Sequence, residues 1–311
     1  MNFIKKLVFD AELPDEKIRQ SLICELVNNF NFIEKQTLSK SLLDREIPVL
    51  YIGKKEKSIL LTGAYHGMEW LTSLVLLKFI HDLSEKINQG NKLYTNLLKK
   101  RGLTIVPCVN PDGVEISLKG EEAFEKPGNF SADEYKMLFQ KTENLKLWQS
   151  NARGVDINHN FNAGWEDLHR REKKMGIIGP GKTRYGGICP ESEPETLAIT
   201  KLCRESNFEY AFAFHSQGEE IYWDYGKKTP VESLKIAKTL AQLSGYKVSS
   251  PEGLAVGGGF KDWFISEFSR PGFTIEIGKG KNPLPLSDFN SIYAKIEKML
   301  YFILRYNIYS E

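Results

Sequence analysis

Cysteine is scarce: Cys24, Cys108, Cys189 and Cys203 are the only four in 311 residues, and no two form a CxxC pair. Thiols so few and so scattered in a long chain do not make a disulfide framework, and free cysteines are expected. An excess of one charge is lacking too. Lysine plus arginine number 42 against 40 aspartate plus glutamate, for a net charge of +2, which argues against nucleic acid or an anionic membrane as partner. No apolar stretch approaches the roughly 20 residues that a membrane span needs. Residues 1–13 set two lysines before an apolar run, but Leu7-Val8-Phe9 is cut short by Asp10 and no small-residue cleavage site follows, so this is not the pattern of a signal peptide. Repeats, linkers and low-complexity tracts are missing as well. The expectation is a cytoplasmic protein that binds neither nucleic acid nor membrane.

What is present is an ordinary globular composition, 41% hydrophobic and 26% charged, with ample material for a large core. Residues 1–45 read as a charged, mostly helical lead-in packed on a main domain of residues 46–311; Ile18, Leu22, Ile23 and Leu26 fall at helical spacing within it. Short strands are expected at 47–53 (IPVLYIG) and 58–64 (SILLTGA), divided by the turn-like KKEK. A strongly apolar helix should follow over 69–87, then a buried strand at 103–109 ending in a turn at Asn110-Pro111-Asp112-Gly113. Residues 117–150 are polar and irregular, with a Pro127-Gly128 pair. Further strands are expected at 210–214, 220–223 and 273–277, a helix over 230–245 with Pro at its start and Gly at its end, and an amphipathic helix from Asp288. Strands alternating with helices predict an α/β fold, a mixed, largely parallel twisted β-sheet flanked by helices.

Histidine is rare, five in all. His66-Gly67-Met68-Glu69 lies between a strand and a helix, and an imidazole and a carboxylate at this spacing can face one Zn²⁺; a polar helix start gives the same four letters. His215 follows the apolar strand 210–214, and strand ends are where α/β sheets present ligands, although a satisfied core histidine fits the position too. Glu276 interrupts the apolar FTIEI; a carboxylate there is costly to bury without a partner, so it is either a base with a raised pKa or an edge position facing water. Asp156 can orient a metal-bound imidazole or serve a turn. The densest polar run, NARGVDINHNF at 151–161, leaves His159 open as a metal ligand, a catalytic base, a substrate contact or a residue with no chemical role.

Five elements, His66-Gly67-Met68-Glu69, Asn110-Pro111-Asp112-Gly113, Gly154-Val155-Asp156-Ile157-Asn158, His215-Ser216 and Thr274-Ile275-Glu276, together resemble the zinc carboxypeptidase family, in the family's order. The resemblance implies a mixed sheet flanked by helices, with one Zn²⁺ at the carboxyl ends of central strands. Carried over by motif, His66, Glu69 and His215 are the zinc ligands, with a fourth position for water. Glu276 is the general base, Asp156 stands behind a zinc-bound histidine, and Arg153 is the cation that polarises the scissile carbonyl. A Lewis-acid metal, a cation and a base around one water suffice for amide hydrolysis.

The digestive members have Asn-Arg where this chain has Asn158-His159, and their clamp tyrosine falls at Leu254. An arginine fork holds a carboxylate through two hydrogen bonds where an imidazole offers one, so the clamp on a chain terminus is altered and Asn158, His159 and Leu254 are expected to meet another substrate. NARGVD, HSQGEEIYW (215–223), GGGFKDW (257–263) and EIGKGKNPLP (276–285) look like the branch that cuts the γ-D-glutamyl–diaminopimelate bond of peptidoglycan peptides. Lys261 sits where the family sets side-chain preference and suits a substrate carboxylate such as that of diaminopimelate; a solvated surface lysine is the plainer reading. A muropeptide-cleaving zinc peptidase is thus expected. The alternatives are a metallocarboxypeptidase releasing C-terminal, possibly acidic, residues and, of another class, a non-catalytic wall-peptide binding protein, which a complete ligand and base set disfavours.

Overall fold

A computed structural model describes residues 13–124 and 142–306; the amino-terminal reading of residues 1–12 and the Pro127-Gly128 pair lie outside them. Eight strands among the described residues form one sheet: β1 (Ile33–Lys40), β2 (Glu46–Ile52), β3 (Ser58–Gly63), β4 (Gly102–Val106), β5 (Phe208–Ser216), β6 (Glu220–Tyr222), β7 (Lys247–Ser249) and β8 (Gly272–Ile277), in spatial order β1-β2-β4-β3-β5-β8-β6-β7. The central block β4, β3, β5 and β8 is parallel. Antiparallel pairs join β1 to β2, β2 to β4 and β6 to β8. The sheet is therefore mixed with a parallel centre, as the sequence predicts. SILLTG and GLTIV are buried at every position, the pattern of strands covered on both faces.

The covering helices are α1 (Glu16–Asn29), α2 (Leu71–Asn88), α3 (Lys92–Lys100), α4 (Pro111–Lys119), α5 (Trp165–Lys174), α6 (Pro194–Glu205), α7 (Glu232–Ser244), α8 (Phe260–Phe268) and α9 (Phe289–Arg305). One core joins α1, α2, α7 and α9 through Leu26, Leu76, Ile236 and Ile296. A second joins α6 and α8 through Ile199, Leu202, Phe260 and Trp263. Parallel neighbours need long crossovers, and helices supply them while burying both sheet faces. No helix of the described residues is long and apolar enough to cross a membrane, and all four cysteines are free.

Two local readings change. The lead-in is not mostly helical: Ile33–Lys40 is an edge strand whose pairing with β2 carries the sheet across residue 45. An edge strand bonds on one side only and tolerates charge, so Glu34, Lys35, Gln36 and Lys40 blur its alternation. The same lead-in is pinned to α4 by buried polar groups: Arg45 Nη1 donates to Asp112 Oδ1 at 2.8 Å, and Arg19 Nη2 to Glu115 Oε1 at 3.2 Å. Asn110-Pro111-Asp112-Gly113 is not a free turn but the start of α4, where Asn110 Oδ1 accepts the Gly113 N–H at 2.9 Å and Pro111 fills the first turn.

Candidate active site

Three of the sequence-expected groups converge at the carboxyl ends of β3 and β5. The chain leaves β3 through Ala64, whose left-handed φ of +50° is held by its N–H donating to Thr72 Oγ1 at 2.7 Å. His66 follows, then the single 3₁₀ turn Gly67–Glu69. Gly67 is required by close approach, since a Cβ there would lie 2.1 Å from Gly113 O and 2.7 Å from Trp148 O. His66 Nδ1 is 2.9 Å from Glu69 Oε1, and His215 Nδ1, from β5, is 3.0 Å from Glu69 Oε2. His215 and Glu69 are buried, and Tyr65 stacks on the His215 ring at 5.1 Å between centroids.

The donor set fits zinc: two imidazole nitrogens and a carboxylate oxygen, all within 4.8 Å of one another, the composition of a three-ligand catalytic site that keeps an open position. Asp156 Oδ1 sits 3.1 Å from His66 Nε2; a proton held there leaves the Nδ1 lone pair for the metal. Asp156 is itself held by the N–H groups of Asn158 at 3.2 Å and Arg184 at 2.9 Å. Burial opposes charge on His66, but Glu69 and Asp156 outweigh it and hold the imidazole well above its ordinary value. Burial likewise raises Glu69, yet His66 and His215 pull it below the usual carboxylate range.

Glu276 lies one strand over, paired with His215 in the β5–β8 register and with Glu220 in the β6–β8 register. It is interior to the sheet and half-buried, so the edge-strand alternative does not hold. Burial first, then the neighbouring Glu69 and Glu220 carboxylates, push its carboxyl well above the ordinary range.

The remaining expected residues are placed differently. Arg153, expected over the scissile carbonyl, has Nη1 bonded to both Glu193 oxygens at 3.2 Å; Glu193 is fully buried, so swinging Arg153 away would strip a buried carboxylate of a cation. Lys261 is neither a surface lysine nor an open cation. It is 5% exposed, with Nζ donating to Asp224 O at 2.5 Å and to Asp262 Oδ1. A substrate carboxylate would meet a charge already matched inside the protein. Asn158 Oδ1 accepts the Phe260 N–H at 3.1 Å, fixing the start of α8. Leu254 is half-buried in the short turn Gly253–Ala255, and Arg171 anchors that loop, with Nη2 donating to Val256 O at 2.5 Å. His159 is paired with Glu172 at 2.8 Å.

Sequence reasoning missed Gln149, whose carbonyl accepts the Gly67 N–H at 3.0 Å and so lies directly beside the His66 turn. It also missed Glu172, although His169-Arg170-Arg171-Glu172 repeats the spacing of His66–Glu69.

A sheet that presents two imidazoles and a carboxylate at parallel strand ends, with a carboxyl one strand away, defines a metallopeptidase of the carboxypeptidase fold. The family model for zinc carboxypeptidases matches residues 22–299, and the chain belongs to that family. Gamma-D-glutamyl-L-diamino acid endopeptidase 1 of Lysinibacillus sphaericus is 34% identical over 297 residues, covering 93% of this chain and 72% of that protein. Mast cell carboxypeptidase A of Homo sapiens is 26% identical over 213 residues, 66% of this chain and 46% of that protein. The crystal structure of thrombin activatable fibrinolysis inhibitor shares the fold, with a TM-score of 0.72 at 20% identity over 94% of this chain and 74% of that one.

Proposed function

We propose that this zinc-dependent peptidase hydrolyses the γ-D-glutamyl–diaminopimelate bond of peptidoglycan-derived peptides, with Glu276 as general base. The observation that carries the chemistry is the register that sets Glu276 beside His215, next to a cluster of zinc-ligating composition. When bound, the metal supplies Lewis acidity and lowers the pKa of a water. The chain's own residues do the rest. His66, Glu69 and His215 hold the ion, Asp156 keeps the His66 Nε2 proton, and Glu276 takes a proton from the attacking water and passes it to the leaving amine.

What supports the bond assignment is the relative at 34% identity, named as an endopeptidase of gamma-D-glutamyl-L-diamino acids, together with the loss of an arginine at His159. Zinc-loaded protein incubated with L-Ala-γ-D-Glu-meso-diaminopimelate, and with the same peptide extended by D-alanine, tests it by mass spectrometry of the products. Cleavage at the γ-glutamyl bond is expected. Release of C-terminal residues from all-L peptides alone would replace this reading by that of an ordinary carboxypeptidase, and zinc-dependent binding without turnover by that of a wall-peptide binding protein.

A further inference from the structure

His159 closes the short turn Ile157–His159, just beyond the Asp156 that contacts His66, and its ring is fixed by a different element. Glu172, on α5 and fully buried, sets Oε1 2.8 Å from His159 Nδ1 and Oε2 3.1 Å from His169 Nδ1. Its Oε2 also accepts the Gly186 N–H at 3.3 Å. Trp165 completes the frame, stacking on His169 at 4.6 Å and donating Nε1 to Gly186 O at 2.9 Å. A buried carboxylate demands such donors, and one of the three is His159.

Packing is equally committed. A Cβ on Gly186 would lie 2.7 Å from His159 O; one on Gly258 would lie 2.8 Å from the same oxygen and 2.4 Å from Leu168 Cδ2. Two loops therefore carry glycine where they close on this residue. With Nδ1 engaged, Nε2 is the ring's other polar atom. Among the described residues it has no protein partner and is not one of the buried orphans, so it opens to solvent from a side chain that is 11% exposed.

We propose that Glu172 is a positioning residue: it holds His159 with the Nδ1 proton inward, so that Nε2 meets a substrate carboxylate beside the scissile bond. The proposal rests on the peptidase reading above. With Nδ1–H donated to Glu172, the imidazolium form presents its other N–H at Nε2, and in that form it makes a charge-assisted bond to an anionic substrate oxygen. The counter-charge stays inside the protein.

The test uses the zinc-loaded full chain and two peptides that differ only in a free carboxylate or a carboxamide on the residue after the cut bond. Glu172→Gln should raise KM for the carboxylate peptide about tenfold, the loss of one charge-assisted hydrogen bond. It should leave kcat within about twofold and leave KM for the carboxamide unchanged. An equal rise for both peptides, or a loss carried by kcat, overturns the proposal. ¹⁵N spectra of wild-type protein, with His159 assigned through His159→Gln, need neither turnover nor a folded Glu172 variant. A protonated Nδ1 and an Nε2 signal that moves with the carboxylate peptide but not the carboxamide are expected; the opposite tautomer, or equal movement with both, overturns it. If wild type cuts neither peptide, the peptidase reading fails while these spectra still decide the role of Glu172.

Discussion

Glu195, in the first turn of α6, is fully buried. Its Oε2 accepts from Asn151 Nδ2 at 3.2 Å, the same amide that donates to Glu193 Oε2 at 2.7 Å, and its Oε1 has no hydrogen-bond partner. Burial, then the Asp112 and Glu193 carboxylates, push its pKa from 4.5 up to about 8. Below pH 4.5 the folded and unfolded chains both carry this proton, and the group costs nothing. As pH rises toward 8 the unfolded chain ionises while the folded one retains its proton, so stability falls; above 8 both are ionised and the penalty is constant. The interval from 4.5 to about 8 corresponds to about 5 kcal/mol at most. Glu195→Gln keeps the shape and never ionises. Urea unfolding followed by tryptophan fluorescence should find the two proteins of nearly equal stability at pH 4.5 and the variant several kcal/mol more stable at pH 9. Comparison within each pH cancels the titration of other groups. A stability gap that is the same at both pH values, or a wild type more stable at pH 9, refutes the reasoning.

Glu276→Gln should keep its zinc, by metal analysis, and lose about 10²–10⁴-fold in kcat; a rate within a few-fold of wild type removes Glu276 as the base. Asp156→Asn should weaken zinc about 10–100-fold in chelator competition, because the His66 Nε2 proton loses its carboxylate; unchanged affinity rejects that role. Zinc content should fall as pH drops, since protons compete for His66 and His215, and retention at pH 4 would contradict the ligand set. Lys261→Met should cost about 3–5 kcal/mol in unfolding experiments by leaving the buried Asp262 unpaired, whereas an exposed lysine would lose nothing measurable.

The metal cluster was legible because its members sit beside apolar strands: SILLTG before His66 and YAFAF before His215 announce strand ends from composition alone. Glu276 showed itself as one carboxylate in FTIEI. The same reading failed on His169-Arg170-Arg171-Glu172, which has the spacing of His66–Glu69 but lies in a polar helix with no strand ahead of it. Arg153 and Lys261 could not be placed from local pattern. What fixes Arg153 is Glu193, 40 residues on, and Lys261 is decided by a carbonyl at Asp224 and the fold's choice to bury Asp262 beside it. Edge strand β1 was hidden for the converse reason, since one-sided hydrogen bonding leaves its composition nearly unconstrained.

The contact between Glu69 and His215 spans 146 residues of chain. Held by His66, Glu69 and His215, an ion would close a loop of that length only when β5 has been laid against β3. Zinc bound there would be a staple across the two segments as well as a reagent. Binding to the folded chain alone adds stability by mass action, on top of the β3–β5 pairing that already joins the two segments. With those ligands, a protease cut between Glu69 and His215 need not release the ion so long as the β3–β5 pairing holds the pieces together.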